Sequence, residues 1–251
     1  MLNSFIYMAK DKDFWKKYLA LFATIFIANS LLNWSGTFSP MFHNGEKSIW
    51  YYILFFAGFI AMFIPYGYSI SLLKEMLENN NTQNLPMINI TKNFIDGLKV
   101  VLSGAILMAI IVLSAVILIL VRNYAVGAFG EVFSIILTIV FFLCLFITSF
   151  FGIAMCCKYV IKPSFLNFVR FSQAAKIINK NVDKYFIYYL YAIAITAIVY
   201  LIAILLGTLL TKIGYTGLIL YCIFVSLIWT YHLYILAGLF SSAVKLEDLN
   251  Q

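Results

Sequence analysis

His232 is the only ordinarily titratable residue near the middle of a long apolar run, with Thr230, Tyr231 and Tyr234 beside it and Ser226 one and a half turns earlier. An imidazole so placed could relay protons across a membrane. Such relays ordinarily include a carboxylate partner, and none of the apolar runs contains one, so the expected role is that of a hydrogen-bonded structural histidine. The vicinal Cys156 and Cys157 could be acylated or could hold a soft metal, but small apolar packing is the simpler expectation. Cys144 and Cys222 also lie inside apolar runs, and no disulfide is expected. His43 and Glu46 share a short connection and are too few to make a site. No nucleophile sits with its base, and no paired aspartates or interfacial His and acid cluster is present, so an enzyme is not expected. Nor is any metal or cofactor. Asn29 is a second polar outlier, suited to an interhelical hydrogen bond. Pro65 frees a backbone carbonyl in the second run and, with Gly67 close by, could break a helix that lines a cavity or simply kink it. Asn29, Pro65 and His232 are therefore the candidate cavity-lining residues.

What must position these residues is a set of six stretches free of Asp, Glu, Lys and Arg: 18–45, 48–73, 100–121, 132–157, 185–211 and 213–244. Each exceeds the roughly 20 residues that a helix needs to cross a bilayer. Hydrophobic residues make up 64% of the chain and charged residues 11%, which leaves nothing over for a soluble domain. The expected architecture is all-α: a polytopic membrane protein with six transmembrane helices in a single integral membrane domain, residues 1–251.

The 17 Lys and Arg residues sort by loop. The N-terminal segment, the second and fourth connections and the tail hold all of them except Lys47, Arg122 and Lys212. That asymmetry predicts cytoplasmic N- and C-termini, and it accounts for the net charge of +7 without nucleic acid. Trp15, Trp34, Trp50, Tyr51 and Tyr52 fall where interfacial anchors belong.

The cytoplasmic connections carry a second pattern. Lys176, Lys180 and Lys184 recur every four residues opposite Ala174, Ile177, Ile178 and Val182, which predicts one interfacial helix over 172–184 with its lysines on anionic lipid headgroups. Apolar positions around Lys92, Asp96 and Lys99, and around Lys10, Lys12 and Lys16, predict amphipathic helices before the first and third spans as well. Asp13, Asp96 and Asp183 recur at about 85 residues, as do Gly67, Gly152 and Gly238. These markers fit three tandem two-helix repeats, 1–80, 81–165 and 166–251, although evenly spaced spans produce some periodicity on their own.

Phe5, Asp11, Asp13, Trp15, Lys16 and Lys17, then Leu85 and Pro86 leading to Phe94, Asp96, Gly97, Leu98 and Lys99, resemble the domain of unknown function 4013 family. Tyr159, Phe168, Phe171, Ile177, Asn181 and Tyr185 resemble that family's second cytoplasmic segment. The resemblance implies a prokaryotic multi-pass membrane protein and implies no activity. The family's glycines and proline are missing from 19–32, and Met87, Ile88 and Asn89 stand where its linker begins with acidic residues and Trp.

The leading expectation is a non-enzymatic integral membrane protein that organises or binds lipid or a membrane partner, the partner being another membrane protein or further copies of itself. The alternative is a permease for a small neutral or amphipathic solute. A solvated polar cavity would favour the permease; a closed core with exposed basic helices would favour the organiser.

Overall fold

The computed structural model describes residues 11–36, 49–79, 85–168 and 170–249. These residues are mostly helical, with no strand among them. α1 is Phe14–Trp34, α2 Ile49–Ala61, α3 Phe63–Asn79, α4 Ile90–Ile161, α5 Phe171–Asn179, α6 Val182–Leu210, α7 Tyr215–Ala243 and α8 Leu246–Leu249. Three stretches among them are long and apolar enough to cross a membrane: Ile49–Glu78, Val182–Leu210 and Tyr215–Ala243. α6 is apolar on every side and leaves Ile187, Leu190, Leu201 and Leu205 exposed. A helix of that kind needs an apolar solvent around it.

The second apolar run divides at Met62 into α2 and α3. Pro65 has no N–H to offer the carbonyl of Ala61, one turn back, so the helical ladder is weakened there. The flanking bonds from Met62 to Gly58 and from Tyr66 to Met62 keep the two pieces in line as one span.

α4 departs from the expected pair of helices. Its residues are helical over the whole of Ile90–Ile161, Arg122 included, where the sequence predicts an outer loop. The connection contains no proline, and Gly127 and Gly130 alone weaken its helix propensity. Yet the Tyr159 hydroxyl hydrogen-bonds the Ser103 side chain. A straight helix would hold those residues about 84 Å apart at 1.5 Å per residue, so α4 turns back on itself between them.

The interfacial helices also differ from expectation. The lead-in to the third run is continuous with α4, whose Asn89 caps it by accepting from the Lys92 amide at 3.0 Å, whereas most of the lead-in to the first run lies outside the described residues. Only ahead of α6 does a separate amphipathic helix stand among the described residues. That helix, α5, stops at Asn179, and the Lys180 side chain just past it pairs with Asp248 of α8 at 3.0 Å. Ala174, Ile177 and Ile178 are buried in the protein's own core, where an interfacial helix would have turned them to the acyl chains, and Val182 begins α6 and is exposed.

Two features hold the end of the bundle at which α1 begins. Asp11 accepts from Lys17 Nζ at 2.7 Å, from the Leu85 amide at 2.6 Å and from the Asp13 amide at 2.8 Å, tying the start of α1 to the segment that leads into α4. Burial alone would raise this carboxyl's pKa, but the bonds from Lys17, Leu85 and Asp13 outweigh it and hold the value below the ordinary one. The second feature is a backbone crossing. A Cβ on Gly67 would lie 1.7 Å from the Asn93 carbonyl oxygen, and one on Gly97 would lie 1.8 Å from that of Phe63. α3 and α4 therefore touch through bare backbone, the contact that small residues permit in membranes.

Gly67→Ala and Gly97→Ala should each destabilise the protein by about 1–3 kcal/mol, the usual cost of overpacking. Gly152→Ala, where nothing stands within 4 Å of the new methyl, should cost nothing. Thermal unfolding in detergent reads all three, and equal midpoints would contradict the crossing. Asp11→Asn should lower the midpoint at pH 7. Because the folded pKa is depressed, the stabilisation is present above the unfolded carboxylate value of roughly 3.9 and is lost as pH falls through the lower folded value. The native protein and the variant should therefore converge on acidification.

Candidate functional site

α1, α3, α6 and α7 enclose a cavity of about 330 Å³. Small-molecule sites commonly span about 300–1,000 Å³. Asn29 and Asn33 come from α1, Pro65 and Tyr66 from α3, Tyr200 and Ala203 from α6, and Tyr221, Val225 and Trp229 from α7. All the lining residues described are uncharged. The polar ones lie one or two turns apart on helices whose remaining faces are apolar, so packing of the apolar faces brings them together. Pro65 lies just past the break at Met62, where α3 cannot pack as a regular ladder.

The side chains around the cavity are tied to one another. Asn29 Nδ2 donates to Ser226 Oγ at 3.0 Å, and Asn33 Nδ2 donates to the Asn29 carbonyl at 2.8 Å. Thr230 Oγ1 donates to the Ser226 carbonyl at 2.7 Å. The Trp229 indole meets Tyr200 edge-on at 5.4 Å between ring centroids. Asn33 Oδ1 is buried with no hydrogen-bond partner. Such an acceptor is costly in an apolar setting, and it marks the α1 side of the cavity as under-satisfied.

The structure thus brings Asn29 and Pro65 to one cavity and sets His232 behind it. His232 is buried, its Nε2 lies 3.0 Å from Thr196 Oγ1 of α6, and its ring packs 5.3 Å from that of Trp229. His232 Nδ1 has no partner. No carboxylate lines the cavity among the described residues. Two elements of the site escape the sequence reading: the tyrosines Tyr66, Tyr200 and Tyr221, and Asn33. Seventeen tyrosines in one chain give no hint of which converge, but Asn33 stands one helical turn after Asn29, and that spacing was a usable signal.

The three lysines assigned to headgroups separate. Lys176 is exposed on α5, Lys180 is paired with Asp248, and Lys184 lies on α6 with its Nζ 5.8 Å from the Tyr188 ring centroid. His43 and Glu46 lie outside the described residues, as do Lys10 and the side chain of Cys144. Cys156, Cys157 and Cys222 are free thiols. No three His, Cys, Asp or Glu side chains among the described residues gather as a metal site.

A family model described as a protein of unknown function (DUF4013) matches residues 51–208, more than half of the chain. No curated protein and no solved structure matches it.

Thr196→Val should destabilise the protein by about 1 kcal/mol, because it strips His232 of its interhelical bond while leaving the ring buried. Adding His232→Leu should recover part of the loss, since removing both partners leaves no stranded polar group. A double-mutant cycle on unfolding midpoints measures this coupling, and additive effects would contradict it.

Proposed function

The chain belongs to this family of unknown function, and from that premise we propose that it is a non-enzymatic integral membrane protein of the prokaryotic cytoplasmic membrane that binds and organises lipid. The observation that carries the reading is the combination of exposed apolar helix faces with a cavity whose described lining contains aromatic and amide groups but no charge. Such a cavity can hold a molecule and has no group with which to transform it. The topology proposed with it has six spans and both termini in the cytoplasm. The return of α4 on itself, which brings Tyr159 to Ser103, is what a hairpin of the third and fourth runs requires.

The basic end of the bundle supplies the second element of the proposal. Lys176 of α5 and Lys184 of α6 are exposed at this end of the bundle, which suits contact with an anionic leaflet. Lys180 contributes less, because Asp248 already neutralises it. A membrane-protein partner or a second copy of the chain could occupy the same end. The permease alternative draws on the cavity and on the helix break beside Pro65, which together resemble the discontinuous helices of transporters.

Replacing Lys176 and Lys184 with Gln should reduce the enrichment of anionic lipid, read by native mass spectrometry of protein released from mixed nanodiscs. Each lysine near a charged leaflet is worth about 1 kcal/mol, or roughly fivefold. Lys180→Gln should change enrichment by much less. Unchanged enrichment in the double variant would overturn the headgroup assignment. Uptake of neutral solutes into proteoliposomes, absent from empty vesicles, would favour the permease.

A further inference from the structure

The cavity has a floor and a mouth. Asn29, Asn33 and Val225 form the floor and are each less than a tenth exposed, at 8%, 3% and 5%. Tyr66, Tyr200 and Ile204 form the rim and keep 46%, 51% and 60% of their surface exposed. Tyr66 and Ile204 stand on α3 and α6, which both line the cavity but form no substantial contact with each other among the described residues. The opening therefore runs sideways between two helices.

Its depth decides what can reach it. Tyr200 is about 27 Å along α6 from Val182 and about 15 Å from Leu210, at 1.5 Å per residue. Tyr66 is similarly far from both ends of the Ile49–Glu78 span. A mouth at that depth on membrane-spanning helices faces acyl chains rather than water. Entry from there selects a molecule already dissolved in the bilayer. The described lining contains no Lys, Arg or His to neutralise a phosphate, and moving a bare charge to this depth costs several kcal/mol. What the described lining does contain is three tyrosines, Trp229 and the partnerless Asn33 Oδ1. These suit hydroxyl and carbonyl groups, with flat aromatic walls for an apolar body.

We infer that the cavity receives the uncharged, hydroxyl- or carbonyl-bearing head of a membrane-resident amphiphile, which enters from the bilayer between α3 and α6 and leaves its tail in the gap. This deepens the lipid-binding reading and rests on it, but it names a site and a chemical class different from the anionic contacts at Lys176 and Lys184.

The test uses the full chain in nanodiscs with two photo-crosslinkable probes of identical chains, a diacylglycerol and a phosphatidylglycerol, with labelled peptides mapped by mass spectrometry. The inference expects diacylglycerol to label the peptides of Tyr66, Tyr200 and Trp229 at least about tenfold more than phosphatidylglycerol does, given the cost of an unpaired charge there. Asn29→Leu, which removes a polar group from the floor, and Ala203→Phe, which fills the space, should each cut that labelling by about fivefold. Unfolding midpoints certify that each variant is folded, and the comparison of the two probes on the native chain needs no variant. Equal labelling by both probes, or labelling that ignores both substitutions in folded protein, would overturn the inference. In the same sample, loss of phosphatidylglycerol labelling near Lys176 and Lys184 with the cavity signal intact would count against the headgroup contacts alone. The converse would count against the cavity site alone.

Discussion

A polar side chain inside a bilayer is costly unless it finds a partner within the protein, and in this chain α7 takes interhelical bonds from four other helices. The Tyr18 hydroxyl of α1 donates to the Leu227 carbonyl at 3.0 Å, and Asn29 of the same helix bonds Ser226. From α3, the Tyr68 hydroxyl meets that of Tyr234 at 2.9 Å. From α6, Thr196 bonds His232, and from α4 the Cys157 thiol reaches the Phe240 carbonyl at 3.9 Å. Four helices are thus each fastened to one. Bonds of this kind average well under 2 kcal/mol apiece in membranes, so their main effect is to fix which faces meet. The cavity follows from that arrangement, since α3 and α6 are both held to α7 and are left apart from each other.

A second consequence concerns α4. Tyr185 of α6 donates to the Phe150 carbonyl and accepts from the Ala154 amide, so its hydroxyl stands inside a turn of the α4 ladder. Tyr189, one turn further along α6, lies 2.6 Å from Ser149 Oγ. Edge-on packing of Phe150 against both tyrosine rings closes the seam. The returning end of α4 is therefore fixed to α6 by hydroxyls that satisfy backbone groups, while its first turns are fixed to α3 by the absence of side chains at Gly67 and Gly97. One long helix is gripped at both ends by different chemistry.

Much of this was legible in the residues and some was not. Hydropathy marks the three helices that are long and apolar enough to cross a membrane, because burial in lipid demands about 20 apolar residues whatever the tertiary contacts. It cannot say that α4 turns back through helical residues instead of through a loop, because a connection without proline suits either. Nor could the fourfold lysine spacing reveal that Lys180 is paired with Asp248, a residue far along the chain. Asn29 and Pro65 stood out as polar or helix-breaking residues in apolar surroundings, and both line the cavity. His232 stood out for the same reason but packs one side-chain layer behind, which depends on helix rotation rather than composition. Gly67, read as a possible hinge, is instead a contact with α4. Tyrosines are ambiguous in principle: amphipathic rings serve equally as anchors, as packing and as ligands, and only the assembled bundle separates Tyr234 in the core from Tyr66 at the cavity's rim.

The claim at the centre of this account is that a charge-free cavity, open sideways at membrane depth, lies in a bundle fastened to α7. Single-particle imaging of the full chain in nanodiscs of mixed lipid tests it most directly. The account predicts α7 at the centre of the bundle and an elongated density entering between Tyr66 and Tyr200 and ending near Asn29, with no headgroup phosphate inside. A gap filled by the protein's own side chains, or a column of water from one membrane face to Asn29, would contradict it.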